Sequence, residues 1–189
     1  MGVEFEVKFR ATPEILEKLR QELPGAETHF SMETTYYDTP AGELAAKHFT
    51  LRRRMENQVS VCTLKTPAGR GRNEYEVVAP TIEDALPELC KLSGHALPTG
   101  IQPICGAKFN RIAKILTMPG AVAELALDTG ILTGGGKELP LWELELELKA
   151  GDPAALVCYA AGLSATYSLE EEKRSKFRRA LALSRGEML

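Results

Sequence analysis

Apolar and polar residues alternate with a period of two from the start of the chain. In Val3-Glu4-Phe5-Glu6-Val7-Lys8-Phe9 the apolar side chains share one face of an extended segment, while Glu4, Glu6 and Lys8 share the other. The arrangement recurs. Leu51 to Arg54 sets Arg52 and Arg54 in phase, Val61 to Lys65 aligns Lys65 with Val61 and Thr63, and Arg72 to Glu76 aligns Arg72, Glu74 and Glu76. Glu124 to Asp128 has acids at both ends of one face, and Trp142 to Leu148 sets Glu143, Glu145 and Glu147 against four apolar residues. Six strands therefore repeat one theme, an apolar face backed by a face of acids and cations.

The segments between them read as follows. Thr12 and Pro13 open a helix with the stripe Ile15, Leu16, Leu19 and Leu23, which Pro24-Gly25 stops. Glu27 to Tyr37 is a strand ending in the turn at 38–42. Phe49 to Met55 and Val59 to Thr66 form a hairpin across Glu56-Asn57-Gln58, and Pro67 to Arg72 is a basic loop. A helix over Thr81 to Ser93 has Asp84 as partial cap and a kink or restart at Pro87. Gly94 to Pro103 is a linker, followed by strands at Ile104 to Thr117, Ala121 to Asp128 with Gly130 to Leu132, and Leu141 to Lys149. Asp152-Pro153 begins a short helix that Gly162 ends. The capping box Ser168-Leu169-Glu170-Glu171 opens a last helix closed by Gly186.

A flat sheet with one wet face would show alternation, but it would not need both signs of charge so regularly. A barrel with a polar, water-filled lumen accounts for the mixture, because interior and exterior positions alternate along every barrel strand. Cations inside such a bore suit a polyanion and clustered carboxylates suit a divalent metal, so the pair suggests a metal-bound phosphate chain.

Composition narrows the field. The 189 residues suffice for one domain with a substantial core, and 44% hydrophobic with 26% charged residues is ordinary for a globular protein. A net charge of −3 argues against a broad nucleic-acid surface. No apolar run approaches the roughly 18 residues of a membrane span, and acids interrupt the start too early for a signal peptide. Cys62, Cys90, Cys105 and Cys158 are scattered without paired spacing, as expected of free thiols in a reducing cytoplasm.

The landmarks, taken together, resemble the CYTH domains, also called triphosphate tunnel metalloenzymes. They are Glu4, Glu6 and Lys8 in the first strand, Tyr36-Tyr37-Asp38-Thr39-Pro40, Leu51-Arg52-Arg53-Arg54, Thr63-Leu64-Lys65-Thr66-Pro67 and Arg72-Asn73-Glu74-Tyr75-Glu76. Arg111, Glu124 to Gly130, the alternating glutamates at 143–147, and Ser175-Lys176 followed by Arg179 complete the series. The resemblance implies an α+β fold: one domain over 1–189, an eight-stranded antiparallel β-barrel or tunnel with helices packed outside. It further implies Mg2+- or Mn2+-dependent chemistry on triphosphates, most like the bacterial inorganic triphosphatases. Thiamine or nucleoside triphosphatases and class IV adenylyl cyclases are the alternatives, and a non-catalytic polyphosphate-binding module is a second one. Phe9-Arg10 stands where the cyclase version carries His-Phe, and Trp142 lies on the apolar parity of its strand, so no stacking platform for a base is evident.

On this footing Lys8, Arg52, Arg54, Lys65, Arg72, Arg111 and Lys176 are the substrate-binding cations. Glu4, Glu6, Asp128, Glu145 and Glu147 are the metal ligands, and Glu4, Glu6, Lys8 and Lys176 carry the catalysis. Glu74, Glu76, Glu124 and Glu143 are secondary lumen candidates. A monomer or homodimer, acting on triphosphate or polyphosphate away from membrane and nucleic acid, is expected.

Overall fold

Antiparallel pairing runs unbroken through one nine-stranded sheet. The structure, a computed structural model, describes residues 5–68 and 71–187. Its strands are β1 (Glu6–Arg10), β2 (Thr28–Asp38), β3 (Thr50–Glu56), β4 (Val59–Ala68), β5 (Gly71–Val78), β6 (Gln102–Met118), β7 (Ala121–Gly134), β8 (Lys137–Gly151) and β9 (Glu170–Glu171). The order is β5-β4-β3-β2-β6-β7-β8-β1-β9. Among the described residues no ladder joins β5 to β9, so the expected tunnel is a curled sheet with an open seam. Its ninth strand is only two residues long.

The helices are α1 (Pro13–Glu22), α2 (Glu43–Ala46), α3 (Ile82–Ser93), α4 (Pro153–Tyr167) and α5 (Lys176–Arg185). Four of them cover the convex face. Leu16 and Leu19 of α1 and Leu156, Ala160 and Leu163 of α4 pack on Phe9, Leu125, Leu127, Leu144 and Leu146. Leu44 of α2 and Ile82, Ala85 and Leu89 of α3 pack on Leu51, Cys62 and Leu64. Burying each such leucine contributes on the order of 2 kcal/mol, and this fixes which strand parity faces outward.

Cap chemistry sets several boundaries. Thr12 accepts the Ile15 N–H at the start of α1, with Pro13 in the first position. Thr81, rather than Asp84, caps α3 by accepting the Asp84 N–H, and Pro87 lies inside one continuous helix.

Two expectations fail near the C-terminus. The helix at 153 does not stop at Gly162 but continues to Tyr167, where Ser168 at φ 53° ends it by donating its N–H to Ser164 O. Ser168 is thus a C-cap and not the first residue of a capping box. Glu170–Glu171 instead pairs with Phe9 and Arg10 of β1, and the Glu172 N–H donates to Lys8 O at 2.8 Å. Ser175 is the N-cap of α5, accepting from the Arg178 N–H. Backbone pairing with an edge strand has outcompeted a local capping motif.

The fifth helix takes the other face. Phe177, Ala180 and Leu181 pack on Met32, Tyr36, Ala107, Phe109, Leu132 and Leu141. Those residues share the parity of the charged positions, so α5 lies against the concave face and fills one end of it with hydrocarbon. Gly134 permits the contact: an added Cβ there would stand 2.8 Å from Ser184 N.

Candidate active site in the concave face

Register brings the charged positions into rows across the concave face. One row runs Arg111, Asp128, Glu143, Arg10. The next runs Ala113, Ala126, Glu145, Lys8, and the one beyond it aligns Glu124, Glu147 and Glu6. The two alanines leave room between flanking charges.

Asp128, Glu143 and Glu145 form the buried centre, with one oxygen from each lying within 4.8 Å of the others. Three cations meet three acids here. Arg111 donates from Nε and Nη2 to the two oxygens of Asp128, both at 2.7 Å, and reaches Glu145 as well. Lys176 Nζ contacts Glu145 at 2.7 Å, Asp128 at 2.8 Å, and Glu143. Arg179 also pairs with Glu143.

The protonation behaviour follows from this packing. Burial pushes Glu143 up to about 7, and the neighbouring Glu145 adds to the rise against Lys176 and Arg179. For Glu145 burial acts in the same sense but is outweighed by Lys176 and Arg111, so its carboxyl lies well below the usual range. Burial opposes the charges of Arg111 and Lys176, yet the surrounding carboxylates hold both firmly protonated.

The opposite flank, built from β2 to β5, is cationic. Arg54 Nε donates to Thr34 Oγ1 at 3.1 Å, and a 3.7 Å ion pair links Arg54 to Glu56. Burial first, then the charges of Arg52 and Arg111, pushes Arg54 down to about 10. Arg52 has a buried Nε with no hydrogen-bond partner among the described residues. Lys65 pairs with Glu74, and Thr63 donates to Glu76 at 3.1 Å. Arg72 donates to Thr50 Oγ1 at 3.1 Å and to His48 O at 3.3 Å.

The acids expected to hold metal therefore divide. Asp128 and Glu145 lie in the buried centre together with Glu143, which the sequence ranked second. Glu6 and Glu147 lie side by side in the outer row, Glu6 with Lys8 at 2.6 Å and Glu147 with Lys149 at 2.9 Å. Glu124 stands beside them, 3.7 Å from Lys149. Glu4 lies outside the described residues.

An all-oxygen donor set suits Mg2+ or Mn2+. The central acids are matched one for one by cations, whereas the acids of the outer row, Glu6, Glu124 and Glu147, are more accessible. Among the described residues, carboxylate oxygens come within ligand distance of one another at Asp128, Glu143 and Glu145, and register places Glu6 and Glu147 in the row next to Glu145.

Arg179 was a landmark of the sequence but was given no role in the site. It lies three residues after Lys176 on the same helix face, which is the signal that would have given it one. The run Lys173, Arg174, Lys176, Arg178 and Arg179 looks like a solvated face until the contact with Glu143 shows which side turns inward.

Comparison with known proteins gives concordant results. The CYTH domain profile matches residues 2–181. An inorganic triphosphatase of Haemophilus influenzae is 30% identical, the match covering 98% of this chain and 56% of that protein. The chain thus spans about half the length of this curated relative. Among solved structures, a Hippeastrum adenylyl cyclase-like protein with a dominant triphosphatase activity aligns with TM-score 0.68 at 19% identity, covering 100% of this chain and 98% of that one. An adenylate cyclase-like protein of Bacillus halodurans aligns with TM-score 0.61 at 19% identity, over 94% and 96% of the two chains. A Pyrococcus horikoshii OT3 protein aligns with TM-score 0.60 at 22% identity, over 96% and 99%. At these identities the likeness to solved structures establishes the fold.

Proposed function

The chain belongs to the CYTH domain family, and from that premise we propose that it hydrolyses a triphosphate, inorganic tripolyphosphate foremost, to diphosphate and phosphate. One observation carries the reading. Arg52 and Arg54 share one face of β3, where burial and the charges of Arg52 and Arg111 push Arg54 down to about 10, and Arg52 keeps a buried, unpartnered Nε. A cluster of like charges of this kind is stabilised by an anion with many oxygens. The inorganic triphosphatase activity of the Haemophilus relative supports the same reading.

Arg52 and Arg54 would grip phosphate oxygens from one flank, with Lys65 and Arg72 beside them and Lys8 opposite. Arg111 and Lys176 would meet the phosphate chain at the inner end, where Asp128, Glu143 and Glu145 hold them in place. Glu6, Glu145 and Glu147, with Glu4 and Asp128, would hold a divalent ion. When bound, such an ion polarises phosphate oxygens and favours attack by water. In the reaction water oxygen bonds to the terminal phosphorus, the bridging P–O bond breaks with its electron pair leaving on diphosphate, and the water proton passes to solvent or product.

The test is phosphate release from tripolyphosphate with Mg2+ or Mn2+, before and after chelation, by wild-type protein and Glu6→Ala. Release that survives both chelator and substitution refutes the metal-dependent reading. Ranking tripolyphosphate, ATP and thiamine triphosphate by kcat/KM decides among the substrates, and tight binding without turnover identifies a binding module instead.

A further inference from the structure

Phe109 lies where the charged part of the concave face gives way to the apolar end covered by α5. Lys176 Nζ is 5.2 Å from its ring centroid and Arg111 Cζ is 5.7 Å from it. Both distances fall within the ~6 Å over which an aromatic quadrupole attracts a cation. The ring is buried and belongs to the cluster of Met32, Leu132 and Leu141. Its place is tightly constrained from below: a Cβ at Gly130 would strike Phe109 Cβ at 2.7 Å.

These two cations are the ones that share Asp128 and Glu145. Carboxylates alone hold them through N–H donors, which a phosphate would need to recruit. The ring adds an attraction that uses none of those donors, so it can keep the two charges in place while their hydrogen bonds exchange.

We infer that Phe109 is a positioning residue of the site, its π face fixing the Lys176 ammonium and the Arg111 guanidinium for the phosphate chain. The role rests on the proposed triphosphatase reading. It predicts that ring electronics, and not only ring volume, set activity.

The experiment replaces Phe109 with mono-, tri- and pentafluorophenylalanine, which weaken the quadrupole at nearly constant shape, beside Phe109→Leu and Phe109→Tyr. Across the fluorinated series log kcat/KM for tripolyphosphate should fall steadily, by about tenfold in total. Phe109→Leu should match the low end, and Phe109→Tyr should stay near wild type. A flat series, or a Tyr variant as impaired as Leu, overturns the inference and leaves Phe109 a packing residue. A melting-temperature cycle separates this from failure of the functional reading. Fluorination should lower the midpoint in the presence of Lys176 and much less in Lys176→Met, whether or not tripolyphosphate is cleaved. Absence of that coupling also overturns the inference, whereas a wild-type protein that releases no phosphate refutes the proposed activity alone.

Discussion

Arg111 grips Asp128 with both arms of its guanidinium, Nε and Nη2 each 2.7 Å from a different carboxylate oxygen. Asp128 is fully buried and Arg111 nearly so. A buried pair of this kind is weak evidence of net stability, because desolvation offsets much of the attraction, but removing one partner strands the other. Asp128→Asn should therefore destabilise the fold by about 3 kcal/mol. Urea unfolding at neutral pH measures this, and a change below about 1 kcal/mol would contradict the charge balance described for the centre.

Arg52 should behave in the opposite sense. It has no ion-pair partner among the described residues and repels Arg54. Arg52→Gln should raise KM for tripolyphosphate by about tenfold or more, while leaving the melting temperature unchanged or higher. Loss of stability without a change in KM would assign Arg52 to the scaffold.

Glu172 ties β9 to its surroundings and gives the fold an acid-sensitive point. Burial opposes its ionisation, but the backbone N–H of Arg174 and the guanidiniums of Arg174 and Arg10 outweigh burial and hold the carboxyl at about 2. The folded value lies below the unfolded one of about 4.3. The stabilisation is thus complete above the unfolded value and is lost as pH falls towards 2. It is on the order of 3 kcal/mol. Glu172→Gln should be less stable than wild type at pH 6 in urea unfolding, with the difference shrinking as pH is lowered from 5 to 2.

Gly134 sets how closely α5 approaches β7. In Gly134→Ala the new Cβ meets Ser184 N and Ser184 Cβ, at 2.8 and 3.0 Å. The helix has to shift, carrying Lys176 and Arg179 with it. Activity should fall by about tenfold with far-UV circular dichroism preserved, and the melting temperature by about 4 °C. Full activity in this variant would show that α5 tolerates displacement.

Much of this architecture was legible because its determinants are local. Period-two alternation located β1, β3, β4 and β8, and put Glu6, Lys8, Arg52, Arg54, Glu145 and Glu147 on one face. Thr12-Pro13 announced α1. What escaped was decided by tertiary competition. Glu170–Glu171 reads as a helix start until β1 offers its open edge, and Gly162 reads as a stop although a helix can pass through it. Which acid neutralises which cation was also hidden, because strand order determines it: Lys176 meets Glu143 only once α5 folds back over β8. The contact of Arg179 with Glu143 escaped for the same reason.

The hydrocarbon that α5 lays across one end of the concave face has a kinetic consequence. Traffic is confined to the remaining approaches, so under the proposed activity a phosphate made beside Lys176 departs past the position its successor must occupy. Turnover in a phosphate-rich medium would then be governed by contention for that doorway, and diphosphate, the bulkier traveller, would be the slower to clear it.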